Sequence, residues 1–145
     1  MNDDAFKVVY NKALDIISRR EHSQKELIGK LLNKFSEEEI VNSVINNLVK
    51  KNLLNDTRYS EAYVVSRKRK GFGPKKIMYE LIARGVIENI AYEAIENEGG
   101  WKDAALKAFN KKFKKGKAMD FKELNKQKTF LQNRGFSFEE IDSVF

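Results

Sequence analysis

Six cations fall between Arg67 and Lys76, a stretch inside the acid-free interval that runs from Glu61 to Glu80. Arg67, Lys68, Arg69, Lys70, Lys75 and Lys76 surround Gly71-Phe72-Gly73-Pro74, a chain break followed by the only proline. Proline is favoured at the first position of a helix. The cations therefore bracket the join between a helix that stops near Lys70 and one that starts at Pro74. The free amides of the new helix's first turn are expected to point outward, and backbone donors beside fixed cations suit a phosphate. A second acid-free interval, Ala104 to Met119, carries Lys107, Lys111, Lys114 and Lys115. The expected contact set for DNA or another polyanion is thus Arg67, Lys68, Lys70, Lys75 and Lys76, extended by Lys107, Lys111, Lys114 and Lys115. If five or six phosphates were neutralised, affinity for a single strand would fall with a log–log salt slope of about −4. Phe72 or Tyr63 is placed to stack a base, worth about 1–3 kcal/mol.

Other chemistry finds little support. His22 is the only histidine and there is no cysteine, so a zinc site lacks ligands and a Ser-His-Asp arrangement would depend on one residue. Glu37, Glu38 and Glu39 follow a serine, where capping and the helix dipole explain them better than a metal does. Gly71-Phe72-Gly73 lacks the spacing and the preceding strand of a phosphate-cradling nucleotide loop. The expectation is a protein with no catalytic residue, no metal and no cofactor.

The elements that must carry these cations are helical. One proline and eight glycines among 145 residues leave few strand-bounding turns, and Lys, Glu, Leu, Ile and Ala favour helix. A formal charge of +7 points to polyanionic partners. It is uneven: about +1 over 1–55, about +1 over 56–98 and about +5 over 99–145. The first twenty residues alternate polar and apolar, and no apolar run is long enough for a signal peptide or a membrane span. A cytoplasmic monomer with no membrane partner is expected.

Asp3 or Asp4 is placed to cap a first helix. Ser23 and Glu26 form a capping box for a second, with His22 and Leu27 placed for a staple contact. Ser36 and Glu39 suggest a capping box for a third, with core face Ile40, Val44 and Leu48. Asp56 is placed to cap a fourth, and a fifth runs from Pro74 to Gly85. Its inner side reads Ile77, Met78, Leu81 and Ile82, and its outer side Lys76, Tyr79 and Ala83. A sixth spans about Glu88 to Asn97 before Gly99-Gly100. A seventh has Trp101, Ala105, Leu106, Phe109 and Phe113 on one side, with Lys107, Lys111, Lys114 and Lys115 on the other. An eighth spans about Asp120 to Asn133, and Ser137 caps a short ninth.

These segments repeat about every fifty residues. Phe35-Ser-Glu-Glu-Glu-Ile40 matches Phe136-Ser-Phe-Glu-Glu-Ile141 at five of six positions, and Arg84-Gly85-Val86 matches Arg134-Gly135-Phe136. The fold expected is all-α: three tandem three-helix repeats over 1–55, 56–98 and 99–145. A unit this small exposes an apolar face when alone, so neighbours must stack into an elongated, curved body.

Three stretches carry a family resemblance. They are Ala13-Leu14-x-x-Ile17-Ser-Arg-Arg-Glu-His-Ser23-x-x-Glu26-Leu27, then Leu53-Leu54-Asn-Asp56-x-Arg58-Tyr59-x-x-Ala62-Tyr63-Val64-x-Ser66-Arg67, then Lys70-Gly71-x-Gly73-Pro74-x-x-Ile77-x-x-Glu80-Leu81. Over residues 13–85 the chain resembles the RecX family of bacterial recombination regulators, and Arg134-Gly135-Phe136-Ser137 agrees with that family's third repeat. One departure is Lys34 before Phe35, where the pattern has glycine. The resemblance implies a non-enzymatic protein that lies along the groove of the RecA–DNA filament and opposes its growth or promotes its disassembly. Strand exchange, ATP hydrolysis and co-protease activity would fall as a result, and binding to DNA alone is implied for several members. The alternative is a helix-turn-helix transcriptional regulator. It would need base-reading Arg, Asn or Gln at the start of its recognition helix, where this chain has mostly glutamates.

Overall fold

Nine α-helices and no strand occupy the described residues, 3–145, of the computed structural model. They are α1 (Asp3–Ile17), α2 (Gln24–Leu32), α3 (Glu38–Lys50), α4 (Asp56–Arg69), α5 (Pro74–Ala83), α6 (Glu88–Glu98), α7 (Trp101–Lys112), α8 (Phe121–Asn133) and α9 (Phe138–Asp142). The main helix packing stays within consecutive trios, and each trio encloses its own core. Val9, Ala13, Leu27, Leu31, Val44 and Leu48 fill the first. Tyr59, Val64, Ile77, Leu81 and Ile95 fill the second. Ala105, Phe109, Leu131, Phe136 and Ile141 fill the third. The fold is thus three tandem three-helix repeats, with Trp101 packed against both the second and third cores.

Capping chemistry explains where most helices begin. Ser23 and Glu26 form the expected box at α2, and Ser137 with Glu140 forms its twin at α9. Pro74 occupies the first turn of α5. Other starts differ from expectation. Asp3 and Asp4 stand inside the first turn of α1, and the position that would cap it lies outside the described residues. At α3 the helix begins late, Glu37 takes the cap position, and no side chain bonds the first turn, so the Ser36–Glu39 box does not form. At α4 the short side chain of Asn55 accepts from the Arg58 amide and caps the helix. Asp56, one residue further on, turns away and accepts from the Gln24 amide of the first repeat at 2.8 Å.

Several buried faces are rotated from expectation. In α3 the buried set is Val41, Val44, Ile45 and Leu48, with Ile40 only half-buried. Ile82 and Leu106 are exposed, whereas Lys76 is half-buried. His22 is buried through hydrogen bonds at both ring nitrogens. Its Nδ1 faces the Arg20 carbonyl at 3.0 Å, so this nitrogen carries the proton, and its Nε2 accepts from Lys30 Nζ at 2.8 Å. Burial, reinforced by those two cations, holds the imidazole pKa below its ordinary value.

Successive repeats meet end to end through their second helices. The C-terminal cap of α5 meets the start of α2: Ser23 Oγ donates to the Arg84 carbonyl at 2.8 Å, and Lys25 Nζ donates to that of Ala83 at 3.4 Å. The C-terminal cap of α8 meets the start of α5 in the same sense. There the Gly73 amide donates to the Arg134 carbonyl at 2.7 Å and the Lys75 amide to that of Gly135 at 3.0 Å. Positive and negative helix ends thus face each other, and each end satisfies groups the other leaves open. Gly135 is required by this approach. Its φ is +100°, and a Cβ there would lie 2.6 Å from the Lys76 amide nitrogen.

Candidate nucleic-acid interface

The end-to-end meeting changes what the basic stretch offers. The first-turn amides of α5 were expected to be open to a phosphate, but those of Gly73 and Lys75 are already used by the carbonyls of α8. What remains for an anion is side-chain charge, and the structure divides the cations into two groups.

Arg67 and Lys68 are committed inside the protein. Arg67 donates to both Glu80 oxygens at 2.9 and 2.8 Å, and Tyr63 Oη donates to the same carboxylate at 2.8 Å. Burial pushes the Glu80 carboxyl up, but the bonds from Arg67 and Tyr63 outweigh it and hold the pKa below the ordinary value. Burial and the Glu80 bond push the Tyr63 hydroxyl up to about 12. Lys68 Nζ lies 2.9 Å from Glu98 and donates to the Gly99 carbonyl at 2.8 Å, pinning α4 to the link between α6 and α7. Neither expected stacking residue is free for a base. Tyr63 has the Arg84 guanidinium 4.9 Å from its ring centre. Phe72 has Arg67 at 3.8 Å, Arg134 at 4.8 Å and Lys76 at 5.2 Å.

The second group is exposed and converges. The C-terminal turn of α4 faces α7 across a cleft of about 330 Å³, lined by Val65, Lys68, Arg69, Asp103, Lys107 and Lys111 among others. Next to it, sharing Gly71, Ala108 and Lys111, lies a smaller cleft lined also by Lys70, Lys112, Phe130 and Arg134. Two patches separated by some forty residues in sequence therefore form one basic strip across the second and third repeats. Lys75 lies outside both clefts, with Nζ 5.8 Å from the ring of the exposed Phe138. Lys76 sits half-buried at the junction. Lys107 pairs with Asp103 at 3.1 Å on the open helix surface, an arrangement worth little in stability and readily exchanged for another anion. Lys114 and Lys115 lie beyond the end of α7 and outside both clefts.

Arg134 and Lys112 line the smaller cleft and were not among the candidates. The sequence did hold a signal for Arg134: Arg84-Gly85 and Arg134-Gly135 occupy equivalent caps, and both arginines cover an aromatic ring of the second repeat. Lys112 gave none, because the turn of α7 that brings it to Phe130 depends on tertiary packing.

Comparison with known proteins follows the same threefold division. Family models described as the first, second and third three-helix domains of RecX match residues 10–48, 55–95 and 102–145. The chain is 42% identical over 130 residues to the regulatory protein RecX of Vibrio campbellii, covering 89% of this chain and 84% of that one. It is 34% identical over 142 residues to the regulatory protein RecX of Pseudomonas tolaasii, covering 97% and 92%. The crystal structure of RecX from Lactobacillus salivarius superposes with a TM-score of 0.81 at 26% identity, covering 99% of this chain and 96% of that one.

Proposed function

The chain belongs to the RecX family of regulatory proteins, and from that premise we propose that it binds the RecA–DNA filament and restrains it. By lying along the filament groove it opposes filament growth and lowers ATP hydrolysis and strand exchange. One observation carries the reading: Lys70, Lys107 and Lys111, from two acid-free stretches, line one continuous strip between the second and third repeats. A row of small repeats presenting such a strip follows a helical polyanion over a long path, and its cations exchange with the condensed counterions of nucleic acid.

A reader of base sequence is disfavoured by the third helix of each repeat. Their first turns present Glu38 and Glu39, Glu88, and Glu139 and Glu140, which repel phosphate and lack the forked donors that read guanine. The function is tested by titrating the protein into RecA hydrolysing ATP on single-stranded DNA. Hydrolysis falls at substoichiometric to equimolar ratios; no change at any ratio or salt would remove the proposal.

A further inference from the structure

We propose that the smaller cleft is a site for one phosphodiester group, and that filling it fixes the angle between the second and third repeats. This rests on the reading that the basic strip meets nucleic acid, and adds which group is held and what holding it does. The cleft has a volume of about 220 Å³. Lys70, Lys111, Lys112 and Arg134 line it around Gly71 and Phe130, with no carboxylate among the lining residues, whereas Glu98 and Asp103 line the larger cleft beside it.

Lys112 and Arg134 stand 5.6 and 4.9 Å from the centre of the same Phe130 ring. Two like charges on one ring repel, and an anion in the cleft that both line relieves that repulsion. Arg134 is held in place for this: it donates to the Lys70 carbonyl at 3.3 Å and lies against the Phe72 ring. One bond leaves four guanidinium N–H donors for a ligand.

The lining comes from both sides of the junction. Lys70 belongs to the second repeat, and Lys111, Lys112 and Arg134 to the third. Backbone bonds from Gly73 and Lys75 join the two repeats on the α5 side, but no pair of helices packs extensively across the cleft itself. A phosphate bonded to both sides adds charge-assisted hydrogen bonds across the junction. A ligand that binds one angle better than others shifts the population to it.

The chain has no cysteine, so spin labels at Ala62→Cys and Asn125→Cys report the distance between α4 and α8 by pulsed electron resonance. Adding a twelve-residue oligo(dT) narrows the distance distribution, and the uncharged methylphosphonate oligomer does not. In Lys111→Gln/Lys112→Gln the narrowing is lost, oligo(dT) affinity falls about tenfold, and the salt slope is shallower by roughly 0.7; the double arginine variant restores all three. Unchanged affinity and slope in the glutamine variant overturn the site. Binding without narrowing in the unaltered protein overturns the coupling, and absence of oligo(dT) binding overturns both. If RecA hydrolysis is untouched while these results hold, the filament reading fails and the cleft stands.

Discussion

At the junction of the first and second repeats, the Gln24 amide donates to the Asp56 carboxylate and the Ser23 hydroxyl to the Arg84 carbonyl. At the junction of the second and third, two α5 amides donate directly to α8 carbonyls. The meeting of helix ends is the same, and the dressing is opposite. Around the first, Arg58 pairs with Glu21 at 2.6 Å and Arg20 with Glu26 at 3.1 Å, so its charges largely cancel. Around the second, Lys70, Lys75, Lys111, Lys112 and Arg134 have no carboxylate partner among the described residues. A repeated scaffold has kept the same meeting of helix ends at both joins while charge has gathered at one. Stability is expected of the shared part and, on the proposed reading, binding of the part that differs.

The largest expected effect tests the shared part. Gly135→Ala forces a positive-φ residue to carry a Cβ 2.5 Å from Lys76 Cβ and 2.6 Å from its backbone nitrogen. About 3–4 kcal/mol of stability should be lost in urea unfolding. Gly85→Ala has the same φ strain, but the three atoms nearest its new Cβ are Cβ, Cδ and Cγ of Lys25, with no backbone atom among them, so a smaller loss of about 2 kcal/mol is expected. An equal loss at both would mean that contact with the facing backbone adds nothing to the φ strain.

Glu80→Gln comes next. It removes the negative charge and one of the two oxygens that accept from Arg67 and Tyr63, leaving a largely buried guanidinium half-paired, at a cost of about 2 kcal/mol near neutral pH. Because bonding holds the Glu80 pKa below its ordinary value, its contribution is complete above the ordinary carboxylate range and is lost as pH falls through the folded value. The gap between Glu80→Gln and the unaltered protein should close below about pH 5. Asp56 has the opposite sign. Burial raises its pKa against the Gln24 bond, so the folded state holds the proton more tightly and the charge opposes folding until pH drops through that raised value. Asp56→Asn should change stability by less than about 1 kcal/mol, and should compare with the unaltered protein more favourably at pH 7 than at pH 4. Parallel pH profiles for the two variants would contradict the opposite shifts of the two carboxylates.

The threefold helical plan was legible in the sequence because it rests on local rules. Ser23, Ser137 and Pro74 mark helix starts by chemistry confined to one turn, and the Arg-Gly repeat marks equivalent caps. What was not legible depended on contacts between repeats. Asp56 looks like a cap in sequence and is instead a cross-repeat acceptor, because Asn55 one residue earlier does the capping. Arg67 and Lys68 look as free as Arg69 and Lys70, since nothing in a linear charge run shows that Glu80 and Glu98 lie opposite them. The basic strip was therefore visible as a region, while Lys112 and Arg134 joined its lining only once the helices were placed.

The difference between the junctions is tested most directly by taking equal charge from each part of the molecule. Lys70→Gln/Lys111→Gln/Lys112→Gln strips the cleft, and Lys7→Gln/Lys34→Gln/Lys50→Gln removes the same charge from exposed positions of the first repeat. Both triple variants should unfold within about 0.5 kcal/mol of the unaltered protein. In a titration of RecA ATP hydrolysis on single-stranded DNA, half-maximal inhibition by the cleft variant should need about tenfold or more protein, and that by the first-repeat variant less than about twofold more. Equal weakening of the two would show that net charge alone drives binding and would contradict a site at the second junction.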